Sequence, residues 1–169
     1  MVIIEGIRAI NFRLLRIPSD PIGEKFFEID RGLVIIKGPN EAGKSTLIEA
    51  IIFGIYGDAN IFHDTRETRG YADVIKYGER KAYLSVILNT GRTKYLVKRE
   101  LHLRLDGSVS HTDAKLYELT GDHPSEIARG ITRVKEEIKN RLGFSWEEMF
   151  ATNIVLQKDL ERIVQMSRG

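Results

Sequence analysis

The sequence predicts an α/β fold in which a β-sheet packs on the helix that follows a glycine-rich loop. Three observations carry this. Leu33-Val34-Ile35-Ile36 is a short continuous apolar run, the pattern of a strand covered on both faces. The loop GPNEAGKST follows it at Gly38–Thr46. Beyond the loop, Leu47, Ile48, Ile51, Ile52 and Ile55 fall at the spacings of one helical face over Ser45–Tyr56, and Gly57 supplies a C-terminal stop.

Other elements follow in order. Val2–Phe12 alternates loosely and is rich in Ile, and Lys25–Asp30 (KFFEID) alternates more clearly, so both are expected as strands, with a turn at Asp30-Arg31-Gly32. Residues 58–72 lack a sustained period and are expected to form a surface loop with one helical turn at most. Tyr83–Leu88 and Lys94–Arg99 flank Asn89-Thr90-Gly91-Arg92, a hairpin loop with glycine placed for a positive φ. A further strand is expected over Ala114–Leu119. Ile131, Val134, Ile138 and Leu142 share one face of a helix ended by Gly143. Ser145 and Glu148 have capping-box spacing and start another helix. No internal repeat or linker interrupts the chain, so residues 1–169 are expected to form one domain.

Composition narrows the chemistry. The 169 residues are 42% hydrophobic and 30% charged with four prolines, the balance of a folded domain rather than a disordered chain. Absence of cysteine excludes disulfides and thiolate metal sites, and the four histidines, His63, His102, His111 and His123, lack ligand spacing. The N-terminal stretch carries Glu5 and Arg8 within its apolar residues, and no apolar run approaches the ~18 residues of a membrane span, which predicts a cytoplasmic location and no membrane partner. Net charge is +2, with both signs alternating along the chain as on a solvated face, so no dense basic cluster announces a polyanion surface.

Gly38, Gly43, Lys44 and Ser45 satisfy G-x-x-x-x-G-K-[ST], a pattern met by chance in about one chain in two hundred of this length. Such a loop between a buried strand and a helix brings backbone N–H groups and the positive helix end onto phosphates. Gly38 and Gly43 allow the close wrap, and Lys44 would neutralise the β- and γ-phosphates. Ser45 would offer its hydroxyl to Mg²⁺, and Thr46 would donate to the α-phosphate. The loop, with Pro39, Asn40, Glu41 and Ala42 between the glycines, is therefore the expected ATP contact. Hydrolysis also needs a carboxylate for Mg²⁺, normally an Asp ending an apolar strand, yet the candidate strands end in Lys37, Asn89 or Lys98. An N-K-x-D element for guanine is missing as well. Phosphate binding alone does not identify a reaction, since such loops serve kinases, GTPases, motors and other ATPases alike.

INFR at Ile10–Arg13, GPNEAGKSTLIEAIIFGIYG, and MFATNIVLQKDLERI at Met149–Ile163 together resemble the N-terminal lobe of the Rad-fifty/SbcC group of DNA-repair ATPases, in the SMC-like branch of the ABC class. The resemblance covers nearly the whole chain. It implies a P-loop NTPase fold, an ABC-type head lobe with a mixed β-sheet on the P-loop helix. It places Arg13 at the nucleotide phosphates, Asn40 toward the γ-phosphate and Gln157 at Mg²⁺ and the attacking water. Ile75-Lys76-Tyr77 resembles the segment beside base and ribose, which implicates Lys76. One departure stands out: the group often has a small polar residue after the arginine, where this chain has Leu14.

The resemblance further implies a coiled coil beyond this stretch, then a C-terminal lobe with signature motif, Asp-Glu pair and switch histidine. The chain is accordingly expected to be a fragment that needs that lobe to hydrolyse ATP. Two heads would sandwich ATP head to head, with a nuclease of the Mre-eleven type and DNA as partners in a nucleoid-associated setting. Two other readings stand beside it. A self-contained P-loop phosphotransferase would use Arg66, Arg69 and Arg80 as a lid but lacks a placed base; a DNA-binding module would keep its nucleotide site as a structural switch.

Overall fold

The computed structural model describes residues 2–18, 25–58, 61, 74–121 and 123–153. Seven strands form one sheet: β1 (Ile3–Phe12), β2 (Leu15–Ile17), β3 (Phe27–Glu28), β4 (Lys81–Asn89), β5 (Lys94–Leu103), β6 (Val109–Thr120) and β7 (His123–Arg129). Helices α1 (Lys44–Tyr56), α2 (Ile131–Leu142) and α3 (Trp146–Asn153) complete the chain. The order across the sheet is β2-β1-β4-β5-β6-β7, with β3 paired to β1 on the edge that β2 also uses.

Strand parity decides which face the core occupies. Ile7 pairs with Val86 and Val86 with Val97, Ala9 with Leu84 and Leu84 with Arg99, so these side chains share the face turned to α1. Ile7, Ala9, Leu84, Val86, Val97, Leu101, Ala114 and Leu116 are all buried there. From the helices, Ala50 through Tyr56 of α1 and Val134 and Ile138 of α2 meet them. Phe12 and Phe53 stack with ring centroids 6.3 Å apart, joining the end of β1 to the middle of α1.

The α/β class and the packing of sheet on the P-loop helix are as expected. Every pairing among the described strands is antiparallel, however, where a mixed sheet was expected. The reason lies in Leu33–Ile36. This run was expected as a doubly covered strand, but it has no regular secondary structure and no ladder partners among the described residues, and Leu33 is 91% exposed and Ile35 66%. A continuous apolar strand needs neighbours on both edges and layers on both faces, and none of the described strands lies beside it.

Elsewhere the sequence pattern and the fold agree closely. The hairpin glycine Gly91 has φ 87°, and the Thr90 N–H donates to the Thr93 carbonyl at 3.0 Å. Helix α2 spans the expected residues and ends at Gly143 in the left-handed region. Ser145 and Glu148 form a reciprocal capping box: the Ser145 N–H donates to Glu148 Oε2 at 2.6 Å and the Glu148 N–H to Ser145 Oγ at 3.3 Å. The strand expected over Lys25–Asp30 shrinks to Phe27–Glu28, and β7 was not anticipated. The helical spacing of Leu160, Ile163 and Val164 lies outside the described residues.

Candidate functional site

Helix α1 opens on Gly43, whose φ of 86° is left-handed, and no side chain among the described residues caps it. No acidic residue occupies its first turn. The N–H groups of that turn, unmatched within the helix, therefore remain for an external acceptor, at the positive end of the dipole. Glu41 is also left-handed at φ 65°, and the Ala42 N–H reaches the Pro39 carbonyl at 3.3 Å, so the loop coils back on itself. Lys44 Nζ spans the loop, donating to the carbonyls of Gly38 at 2.8 Å and Pro39 at 2.6 Å. A Cβ at Gly38 would stand 3.3 Å from the Ala42 Cβ, tight enough to disturb the wrap.

Arg13 enters from the other side. The end of β1 is irregular: the register shifts between Ile10 and Phe12, and Asn11 and Arg13 have φ of 56° and 49°. Left-handed backbone is ordinary for asparagine and uncommon for arginine. Hydrogen bonds on both sides hold it, from the Arg13 N–H to the Val74 carbonyl at 2.6 Å and from the Lys76 N–H to the Asn11 carbonyl at 2.9 Å. The twist delivers Arg13 Nη1 to Glu49 Oε2 on α1 at 2.7 Å. Burial pushes the Glu49 carboxyl above its ordinary range, with Arg13 opposing the shift.

These elements enclose a cleft of about 960 Å³. Arg13, Leu14, Leu15, Glu41, Ala42, Gly43, Lys44, Ser45, Thr46, Ile75, Lys76, Tyr77, Gly78, Glu79, Arg80 and Leu103 line it. Of the residues singled out in the sequence, Arg13, the loop from Glu41 to Thr46 and Lys76 come together there. Gly38, Pro39 and Asn40 do not line the cleft; Gly38 and Pro39 instead present carbonyls to Lys44, and Asn40 is exposed. Leu14 (83% exposed) and Tyr77 (101%) project into solvent at its margin. Gln157, Arg66 and Arg69 lie outside the described residues, while Arg80 lines the cleft.

Sequence reasoning missed Glu49, although an acid in the second turn of an otherwise apolar helix was a signal that it meets a cation. It also missed Glu79 and Leu103, which reach the cleft only because β5 runs past the 76–80 turn: the Leu103 N–H donates to the Arg80 carbonyl at 2.9 Å.

The donor set suits a polyphosphate: an ammonium, a guanidinium, uncapped N–H groups, and the hydroxyls of Ser45 and Thr46 at the head of α1. Ser45 could hold Mg²⁺ through its hydroxyl, a hard oxygen ligand of the kind this ion takes along with phosphate oxygens and water. Among the described residues no cluster of three or more His, Cys, Asp or Glu could hold a metal ion.

A family model described as an AAA domain matches residues 2–165. The chain is 33% identical over 165 residues to the DNA double-strand break repair Rad50 ATPase of Thermoplasma volcanium, covering 96% of this chain and 16% of that protein. It is 30% identical over 149 residues to the protein of that name from Sulfurisphaera tokodaii, with 84% and 16% covered. To the SbcC component of the SbcCD nuclease of Clostridium acetobutylicum it is 25% identical over 137 residues, with 80% and 11% covered. The chain thus spans 16% or less of the length of each of these relatives. With the family model matching from residue 2 to residue 165, the chain belongs to the AAA domain family.

Proposed function

We propose that this chain is the Mg-ATP-binding N-terminal lobe, over residues 1–169, of a composite ATPase head. The observation that carries the reading is the pairing of two features on one segment. Glu41–Thr46 presents uncapped N–H groups and Lys44 to a cleft, and the run before the loop, Leu33–Ile36, is exposed and has no ladder partner among the described residues. An apolar backbone with free edges is a template for strand addition. A C-terminal lobe of the same protein would cover it, convert Leu33–Ile36 into the central strand, and bring the carboxylates that this stretch lacks.

In this reading Lys44 neutralises the β- and γ-phosphates, with Gly38, Pro39, Asn40, Glu41, Ala42 and Gly43 forming the wrap. Ser45 and Gln157 ligate Mg²⁺, Thr46 donates to the α-phosphate, and Gln157 orients water. Arg13 exchanges Glu49 for phosphate oxygens. Lys76 stands beside the ribose, with Tyr77 offering a ring face to the base. Two completed heads would sandwich ATP, and nucleotide favours the engaged state only because it touches both. The names of the relatives, Rad50 ATPase and a component of a nuclease, support a role in DNA double-strand-break repair, with DNA and a nuclease of the Mre-eleven type as partners. No described helix is long and apolar enough to cross a membrane, and the setting proposed is cytoplasmic and nucleoid-associated.

The test is ATP hydrolysis by the chain alone and after addition of a separately made C-terminal lobe, with Lys44→Ala as control. Silence alone and turnover with the second lobe is the expected result. Lys44-dependent turnover by the chain alone would overturn the composite-site reading and favour the phosphotransferase.

A further inference from the structure

A helix leaves its last carbonyls without intrahelical donors, and in α1 the sheet supplies them. The Gly57 N–H meets the Phe53 carbonyl at 2.7 Å. Arg99 on β5 takes the next two, donating from Nε to the Gly54 carbonyl at 2.9 Å and from Nη2 to the Ile55 carbonyl at 2.6 Å. Arg99 is only 3% exposed, so its charge sits between sheet and helix, at the negative end of the helix dipole. Gly57, at φ 66°, makes room: a Cβ there would collide with the guanidinium. The planar fork reaches both carbonyls at once, which a lysine ammonium on a flexible stem is not shaped to do.

That end of α1 is tied further, by Lys135 of α2 to Asp58 at 2.5 Å and by the Tyr56 hydroxyl to Met149 Sδ of α3 at 3.3 Å. The phosphate-loop end is different. Its ion pair, Arg13 with Glu49, joins side chains 28% and 29% exposed, and Arg13 lines the cleft. One end of the helix is thus locked into the core, and the other is held by a contact that a competing anion can reach.

We infer that Arg99 is a positioning residue for nucleotide. By fixing the far end of α1 it sets the direction of the first-turn N–H groups and of Lys44, and it stays engaged when Arg13 leaves Glu49 for an anion. This rests on the reading of Gly38–Thr46 as a phosphate site. The experiment compares Mg-ADP affinity by calorimetry with amide hydrogen exchange across the chain, for the unaltered protein, Arg99→Met and Arg99→Lys.

Loss of two charge-assisted hydrogen bonds is expected to weaken Mg-ADP binding about tenfold in Arg99→Met. Exchange should quicken in α1 while the β4–β5 hairpin keeps its protection, and Arg99→Lys should recover part of the affinity. Unchanged affinity in the folded variants would overturn the inference. So would exchange that quickens equally in sheet and helix, with affinity falling only by the unfolded fraction. If Arg99→Met does not fold, Arg99→Lys decides on the same two readouts. Absence of Mg-ADP binding by the unaltered chain would instead remove the phosphate-site reading beneath it.

Discussion

Arg13 Nη1 lies 2.7 Å from Glu49 Oε2, a contact that joins the irregular end of β1 to the second turn of the P-loop helix. Desolvation outweighs the arginine at Glu49, whose carboxyl is held above its ordinary value of 4.5. A raised folded-state value contributes stability that is fully present below the ordinary value and lost as pH rises through the folded one. Glu49→Gln is therefore expected to melt at or above the unaltered chain at about pH 8 and to show no advantage at about pH 4. Thermal melts across that range check it; a lower melting temperature at the alkaline end would show that the ion pair wins over desolvation.

His111 behaves in the opposite sense. Burial, followed by the nearby Arg99 charge, lowers its pKa from 6.5 to about 4, and its ring packs against Phe53 at 5.6 Å between centroids. A depressed histidine contributes stability that is present above the ordinary value and lost as pH falls toward the folded one. Between pH 6.5 and about 4 the unfolded chain binds the extra proton. His111→Gln should flatten the dependence of melting temperature on pH across that window, and an unaltered slope would assign the acid sensitivity to other groups.

Gly54 lies in the last turn of α1, and replacing a helical glycine by alanine ordinarily stabilises by up to about 1 kcal/mol. Here the sign is expected to reverse. An added Cβ would lie 2.5 Å from Val86 Cγ2, a buried β-branched side chain with no room to retreat. Gly54→Ala should lower stability by about 1–3 kcal/mol in denaturant titrations, and Val86→Ala in the same chain should recover much of that loss. Additive losses in the double variant would mean the two residues do not meet.

Among the described residues, the Lys44 ammonium donates to the carbonyls of Gly38 and Pro39 in its own exposed loop. Lys44→Ala is expected to leave the melting temperature unchanged and to weaken Mg-ATP binding by at least about tenfold. Equal affinity in the variant would detach the lysine from the phosphates.

Much of this architecture was legible in the residues because local chemistry and tertiary packing agree. The Gly91 hairpin, the Ser145–Glu148 box and α2 each depend on residues within one element, and they stand where their patterns put them. Leu33–Ile36 differs because an apolar run reports what the segment needs, and among the described residues no strand pairs with it. Strand β7 was missed for a related reason: His123, Pro124, Ser125 and Glu126 are exposed, and what makes them a strand is the backbone ladder to β6 rather than any alternation of their own. At the site, the loop was readable from its glycines and lysine. Glu79 and Leu103 were not, since each reaches the cleft through a turn or register that only the folded backbone creates, and Glu49 was not, since its partner Arg13 comes from the irregular end of β1.

The antiparallel succession β4-β5-β6-β7 also bears on how the molecule comes to exist. Strands β5, β6 and β7 each pair with their predecessor in the chain across a short connection, so each step closes a small loop at small entropic cost. Joining β1 to β4 is another matter, since Ile3 must find Asn89 with α1 carried in the intervening loop. Low-contact-order hairpins form quickly and long-range pairings slowly, which favours the meander as an early platform. On a ribosome the chain would have to emerge as far as β5 before Arg99 could seat the helix that Lys44 begins.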